Sequence, residues 1–361
     1  MNQESPSGVA RRLLASGFLV IFACESESSD AAATTDTVSN AGTDTANATS
    51  DTTSTSEDGP TDPPKTLRTP PTGQGFDEPA RNKTYLCLPP PLQVLGLTRP
   101  STPWIAGDDI IVSEIPYVEG SVTWESEFEI ELTDTGRRLK GNGLPNHPTG
   151  TFAVEEGTAA YEYYSPLPAD GYDNAAQIPI AAYEIDITLP RNPVLLPKPK
   201  CIEEIFTGVV TQTGAAWHLD IAADSDNNLL DPVSALPMDS CWGHPYAEQY
   251  HYHGYSWKCF PNQGKAGAHS PLFGYAIDGF GVFGPRGEGG KLVTNEDLDE
   301  CHGHTHAIDW DGQTREMYHY HVNNEYPYSI GCFRGEPVAL AEHLQHIPGH
   351  SPGADTSHHP K

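Results

Sequence analysis

The chain has 361 residues and a formal net charge of −29, from 49 acidic against 20 basic side chains. That balance excludes a nucleic-acid partner, which needs a basic patch to displace phosphate counterions. Length alone allows two or three domains, but the N-terminal fifth is too poor in large apolar residues to build core, and the 34 Gly and 33 Pro favour turns and strands over long helices.

Residues 1–24 read as an export signal. Arg11 and Arg12 precede an apolar run at 13–23 (LLASGFLVIFA), too short to span a bilayer comfortably. Cys24 follows directly, as in a bacterial lipoprotein cut before a lipidated cysteine, although Ile21-Phe22 departs from the small residues usual there. The alternative is an ordinary signal peptide cut nearby. Residues 25–75 are Ser, Thr, Asp, Ala and Pro with almost nothing to bury, which predicts a disordered tether. Lipidated at Cys24, this tether would hold a folded domain away from a membrane.

Order is expected from about Tyr85, in an N-terminal β region over 76–176. Strands are predicted at 109–112 (DIIV), at 121–132 (SVTWESEFEIEL), where Val122, Trp124, Phe128, Ile130 and Leu132 share a face, and at 159–164 (AAYEYY). Residues 141–150 are loop. A further strand at 178–189 aligns Tyr183, Ile185, Ile187 and Leu189, and opens a second region at 177–336. Thr294 to Leu298 predicts a short helical turn capped by Thr294 and Asp297. A polar, histidine-containing tail occupies 337–361, with a short helix expected over 338–345.

Within 177–336 one unit occurs twice. Asp239-Ser240-Cys241-Trp242-Gly243-His244 precedes Tyr250-His251-Tyr252-His253 and Cys259-Phe260. Asp299-Glu300-Cys301-His302-Gly303-His304 precedes Tyr318-His319-Tyr320-His321 and Cys332-Phe333. Residues 208–217 and 274–283 also align without a gap, so the repeats run from about 205 to 259 and 272 to 332. Two copies are too few for a solenoid and predict a pseudo-symmetric pair sharing a core.

Setting Cys24 aside, six cysteines remain: Cys87, Cys201, Cys241, Cys259, Cys301 and Cys332. An even number in an exported chain implies disulfides, with fifteen possible connectivities for six. Sequence alone does not choose among them. Bridges equivalent in the two repeats would be Cys241–Cys259 and Cys301–Cys332, leaving Cys87–Cys201; each would add roughly 3–4 kcal/mol. Cysteine as a metal ligand is the competing reading, disfavoured by an oxidising compartment.

The combined pattern resembles the YHYH-domain family of bacterial secreted and surface proteins. The residues that carry the likeness are 187–193 (ITLPRNP), 274–280 (GYAIDGF), 298–306 (LDECHGHTH), 318–321 (YHYH) and 326–335 (YPYSIGCFRG), so it covers about 175–336. The first repeat departs from it, with Thr211-Gln212-Thr213 where the second has Ile277-Asp278-Gly279. The family is named for its motif, and the resemblance implies no particular activity.

On a strand, residues two apart share a face. Each Tyr-His-Tyr-His therefore presents its histidines on one side and its tyrosines, suited to a core, on the other. Symmetry would allow His251, His253, His319 and His321 to meet in one place. His244 and His304 are matched, His302, His304 and His306 would form a row, and Asp239 and Asp299 are matched carboxylates. The candidate metal ligands are His251, His253, His319, His321, His244, His304 and His306, a set suited to copper or zinc. The bland alternative is that these histidines only hold the fold together.

The sequence Gly279-Phe280-Gly281-Val282-Phe283-Gly284 spells GxGxxG, but Pro285 and a second glycine cluster follow where a helix should open, so no nucleotide cofactor is expected. No serine elbow or HExxH occurs, and no catalytic residue is assigned. The expectation is a mainly β, disulfide-stabilised domain with two pseudo-symmetric YHYH repeats and few short helices, exported to the bacterial cell envelope or outer surface on a lipid anchor, or secreted if Cys24 is not lipidated. Its function is divalent metal binding; the alternatives are a metal-free surface interaction module with an unknown protein partner, and a metal-dependent enzyme.

Overall fold

The computed structural model describes residues 64–341 except 72, 74, 88–95, 100, 165–177, 204–206, 224–228, 261–263 and 265–266, all within one compact unit, Thr55–Lys361. The expected signal, the expected lipidation site at Cys24 and most of the expected tether and tail lie outside the described residues. No helix among the described residues is long and apolar enough to cross a membrane.

The N-terminal region holds β1 (Thr66–Arg68), β2 (Leu97–Thr98), β3 (Ile105–Ala106), β4 (Asp109–Ile111), β5 (Phe128–Leu132) and β6 (Gly136–Gly141). Ordered chain thus begins upstream of Tyr85 and inside the expected tether: Leu67 on β1 and Phe76 are buried. The strands β1, β4 and β3 form one small sheet. The alternation over 121–132 persists as half-buried and exposed positions, but only β5 is hydrogen-bonded as a strand. Leu132, expected on the inner face, is exposed where β5 ends.

Residues 159–164, expected as a strand, are the helix α1 (Ala159–Tyr164). The Thr158 side chain accepts from the Tyr161 N–H at 3.2 Å, opening the turn, and Ala160 and Tyr164, four apart, are the buried pair. Tyr163 and Tyr164 pack on Trp104, with ring centroids 4.6 and 6.1 Å away. An end cap and helical burial spacing here override aromatic β-propensity.

In 178–189 the expected alternation holds, with Ile185, Ile187 and Leu189 buried, but the strand β7 (Ile185–Pro190) starts late. It completes an antiparallel sheet β5-β6-β7. Arg137 on β6 is 2% exposed; its guanidinium lies 4.3 Å from the Tyr275 ring and 4.8 Å from the Trp310 ring, and reaches Asp311 at 2.8 Å. A buried arginine is tolerated because its charge is paired and stacked. Here it latches this sheet to the second repeat.

The repeats contribute β8 (Thr207–Thr211), β9 (Ala216–His218), β10 (Ala222–Ala223), β11 (Leu229–Leu230), the short helix α2 (Pro232–Ala235), β12 (Gly243–Tyr246), β13 (Gln249–Tyr252), β14 (Leu272–Ala276), β15 (Gly281–Phe283), β16 (Gly303–Trp310) and β17 (Gln313–His321). β10, β11 and β2 form a small sheet, and the rest form one eight-stranded sheet, β12-β13-β9-β8-β14-β15-β17-β16. Its centre is the antiparallel pair β8–β14, with Val210 opposite Tyr275. Outward from that pair each repeat adds its hairpin partner, then a parallel strand carrying YHYH, then an edge strand carrying Gly-His. The aligned segments are the hairpins β8–β9 and β14–β15, so the glycines of 279–284 shape a turn and a central strand. Thr294–Leu298 is a capped 3-10 turn, with the Thr294 N–H on Asp297 at 3.0 Å. The described part of the expected C-terminal helix, 338–341, is not helical.

Three disulfides join Cys87–Cys201, Cys241–Cys259 and Cys301–Cys332, with Cα separations of 5.2, 5.4 and 4.6 Å. The pairing is the one that repeat equivalence favours. His147, Cys241 and Cys259 lie together, but both sulfurs are consumed in the bridge and offer no thiolate.

Candidate metal centre

The motif encodes a hairpin entered by a carboxylate-held turn. Asp239 accepts from the backbone N–H groups of Cys241 at 2.8 Å and Gly243 at 3.2 Å, and from the Tyr250 hydroxyl at 3.1 Å. Asp299 does the same with Cys301 at 2.9 Å, Gly303 at 3.1 Å and Tyr318 at 3.0 Å. The residue between Cys and Gly takes positive φ in both copies, 61° at Trp242 and 74° at His302. Glycine is required next: a Cβ on Gly243 or Gly303 would collide with the Tyr250 or Tyr318 ring. The hairpin then sets His244 opposite His251 and His304 opposite His319. Spacing in the chain thereby becomes a cross-strand histidine pair.

In the second repeat five rings converge. Single ring nitrogens of His269, His304, His306, His319 and His321 all lie within 4.8 Å of one another. Four of the five turn Nδ1 to a backbone carbonyl: His269 to Ser270 at 2.7 Å, His306 to Ala307 at 3.1 Å, His319 to Met317 at 3.0 Å and His321 to Gly284 at 2.6 Å. A carbonyl only accepts, so each Nδ1 carries the proton and each neutral ring has its lone pair on Nε2. The Nε2 atoms of His269 and His321 are 3.2 Å apart, and those of His304 and His321 3.1 Å. Nε2 of His306 and of His319 is buried without a hydrogen-bond partner.

Burial keeps these rings neutral. It pushes His269 and His304 down to about 4 and His319 to about 2, and holds His321 well below its ordinary value. Two lone pairs 3.2 Å apart repel in the absence of a proton or cation between them. Ligands 2.0–2.1 Å from one tetrahedral zinc stand about 3.3 Å apart, and the Nε2 separations of 3.2 and 3.1 Å are close to that. Imidazoles whose other nitrogen is anchored on a carbonyl have the outer support typical of metal ligands.

The first repeat forms a separate cluster of His244, His251 and His253, also within 4.8 Å. His251 Nδ1 is on the Gln249 carbonyl at 3.0 Å, and its Nε2 is 3.1 Å from Nε2 of His253. Neither nitrogen of His244 has a hydrogen-bond partner, at a cost of about 1–3 kcal/mol for each buried polar group left so. His218 stacks on His251 with centroids 3.6 Å apart. Five strand spacings separate β13 from β17, about 24 Å. The four YHYH histidines therefore do not meet in one place, because the repeats abut through β8 and β14 and carry their motifs outward.

Two further expectations are corrected. His302 leaves the row with His304 and His306: its positive φ turns it to the His321 carbonyl and Asn295, both at 2.8 Å. Asp239 and Asp299 face the tyrosines rather than the imidazoles. Asp278 receives the Tyr320 hydroxyl at 2.5 Å. Sequence reasoning missed His269 and His218. Nothing in the repeat marks His269, which enters from the segment before β14. His306 has Tyr246 as its counterpart, since the first hairpin turns at Ala247-Glu248 while the second continues to Asp311-Gly312.

The family described as YHYH protein matches residues 186–295, so the chain carries a YHYH domain. The match takes in β7, the first motif and the β14–β15 hairpin, and stops short of the second motif. No curated protein and no solved structure matches the chain.

Proposed function

We propose that this is a metal-binding protein of the cell envelope, holding one divalent ion, copper or zinc, at the five-imidazole cluster of its second repeat. The observation that carries the reading is the pair of lone pairs facing each other across 3.2 Å between His269 and His321, a geometry that a shared cation relieves. An all-nitrogen donor set suits Cu(II) and Zn(II). His319 and His321 are buried, while His269, His304 and His306 are half-buried and leave the ion reachable from solvent. Three disulfides support an oxidising compartment. The sequence supports anchorage through a lipid on Cys24, with a tether as spacer.

The test is elemental analysis of the oxidised protein, made without an added histidine tag and desalted after exposure to copper or zinc separately. The paired substitution His306→Gln and His319→Gln should lose one equivalent of ion with an unchanged far-ultraviolet spectrum. Equal ion content in the variant and the parent would overturn the reading.

A further inference from the structure

Resting on that reading, we infer that the first-repeat cluster is a second metal site, sealed in the fold, whose ion enters during folding and does not exchange afterwards. Its ligands are Nε2 of His251 and His253 with a ring nitrogen of His244. These rings are 2%, 2% and 3% exposed for His244, His251 and His253, against three half-buried rings in the other cluster. His244 is the independent sign of a ligand: a buried imidazole with both nitrogens unpartnered, aimed at two others.

The surroundings are those of a supported site. The stacked ring of His218, only 12° from parallel, fixes the plane of His251. Asp220 lies 3.9 Å from His253 Nδ1 and is itself held by Trp217 at 3.1 Å and by Ser329 at 3.2 Å. At that distance Asp220 makes no direct hydrogen bond to the ring; it places a held polar group behind His253. Three imidazoles are one donor short of a closed tetrahedral zinc site; a water carried in with the ion is the class of ligand that completes it. Because all three rings are at most 3% exposed, although β12 is an edge strand, the ion has no route out short of local unfolding.

The experiment loads the full oxidised chain with zinc, desalts it and adds EDTA under native conditions. We expect two zinc ions per chain, one removed within minutes and one retained until guanidinium unfolds the protein. His244→Gln should abolish the retained ion and leave the labile one. The His306→Gln, His319→Gln pair should do the reverse, and decides the matter if His244→Gln does not fold. A parent holding a single ion, absent from the His306, His319 variant, would overturn this inference and leave the proposed function standing. No zinc at all would overturn both, and loss of two ions at one rate would overturn the sealed site alone.

Discussion

Side chains that hold the histidines in place carry as much of the site as the histidines do. The Tyr320 hydroxyl donates to fully buried Asp278 and accepts from the Arg334 N–H at 2.8 Å. Tyr320→Phe strands both partners and should cost about 2–4 kcal/mol by urea unfolding. Tyr318→Phe, whose partner Asp299 also holds Arg334, should cost about 1 kcal/mol. Gly303→Ala drives a methyl into the Tyr318 ring and the His319 carbonyl. It should lose about 1–3 kcal/mol together with the second-repeat ion, read by unfolding and by zinc content.

At the scale of elements, the unit is a turn and a hairpin, and that much was legible. Asp-x-Cys-x-Gly-His followed by Tyr-His-Tyr-His predicts two faces, and the tyrosines are indeed buried opposite the imidazoles. The role of the aspartate was not legible. A carboxylate beside histidines reads as a ligand, yet it is spent on two backbone N–H groups and a tyrosine. Asp299→Ala should therefore destabilise by about 3 kcal/mol or more through several stranded donors, and disorder the His304 side of the cluster. Zinc content of the folded fraction should fall with it, whereas Glu300→Ala, at the half-buried neighbour whose side chain holds no backbone N–H of the turn, should do neither. His269 was illegible for a different reason: it comes from outside the repeated pattern, and only the folded path before β14 brings it near β17. The AAYEYY segment misled because six residues suit either period, and Thr158 together with Trp104 decided for the helix.

Across the whole molecule the buried ionisable groups fix a pH dependence for the metal-free protein. Among the described residues burial holds ten imidazoles, at His147, His218, His244, His251, His253, His269, His302, His304, His319 and His321, below their ordinary value, with His251 and His302 near 4. Unfolding lets them take up protons below about pH 6.5, so stability falls as pH drops from there towards 4. Carboxylates act the other way. Burial raises Asp231 to about 7 and Asp220 to about 8, so from about pH 4 upward they lose protons first when unfolded, and each takes stability away as pH rises until its folded value near neutrality is passed. Asp239, raised to about 6, joins them in opposing the histidines in the acid range, where the histidines outnumber the carboxylates. Denaturant midpoints of metal-free protein should peak near pH 6.5–7; a steady rise to pH 9 would contradict this assignment. The two-repeat architecture was readable from the sequence, but the separation of the clusters was not, because nothing in a duplicated motif says whether copies meet inward or point apart.

The disulfides have a simple order along the chain: Cys87 with Cys201, Cys241 with Cys259, Cys301 with Cys332. Each cysteine of these pairs is joined to the next of the six to appear. A polypeptide emerging N-terminus first into an oxidising space would meet every native partner before any competitor from further downstream. An oxidase that links thiols in order of arrival would then produce the native set without reshuffling. Cys24 alone breaks the sequence of arrivals, since left as a free thiol it would be first in line for Cys87. Its removal or lipidation would protect the assembly of everything behind it.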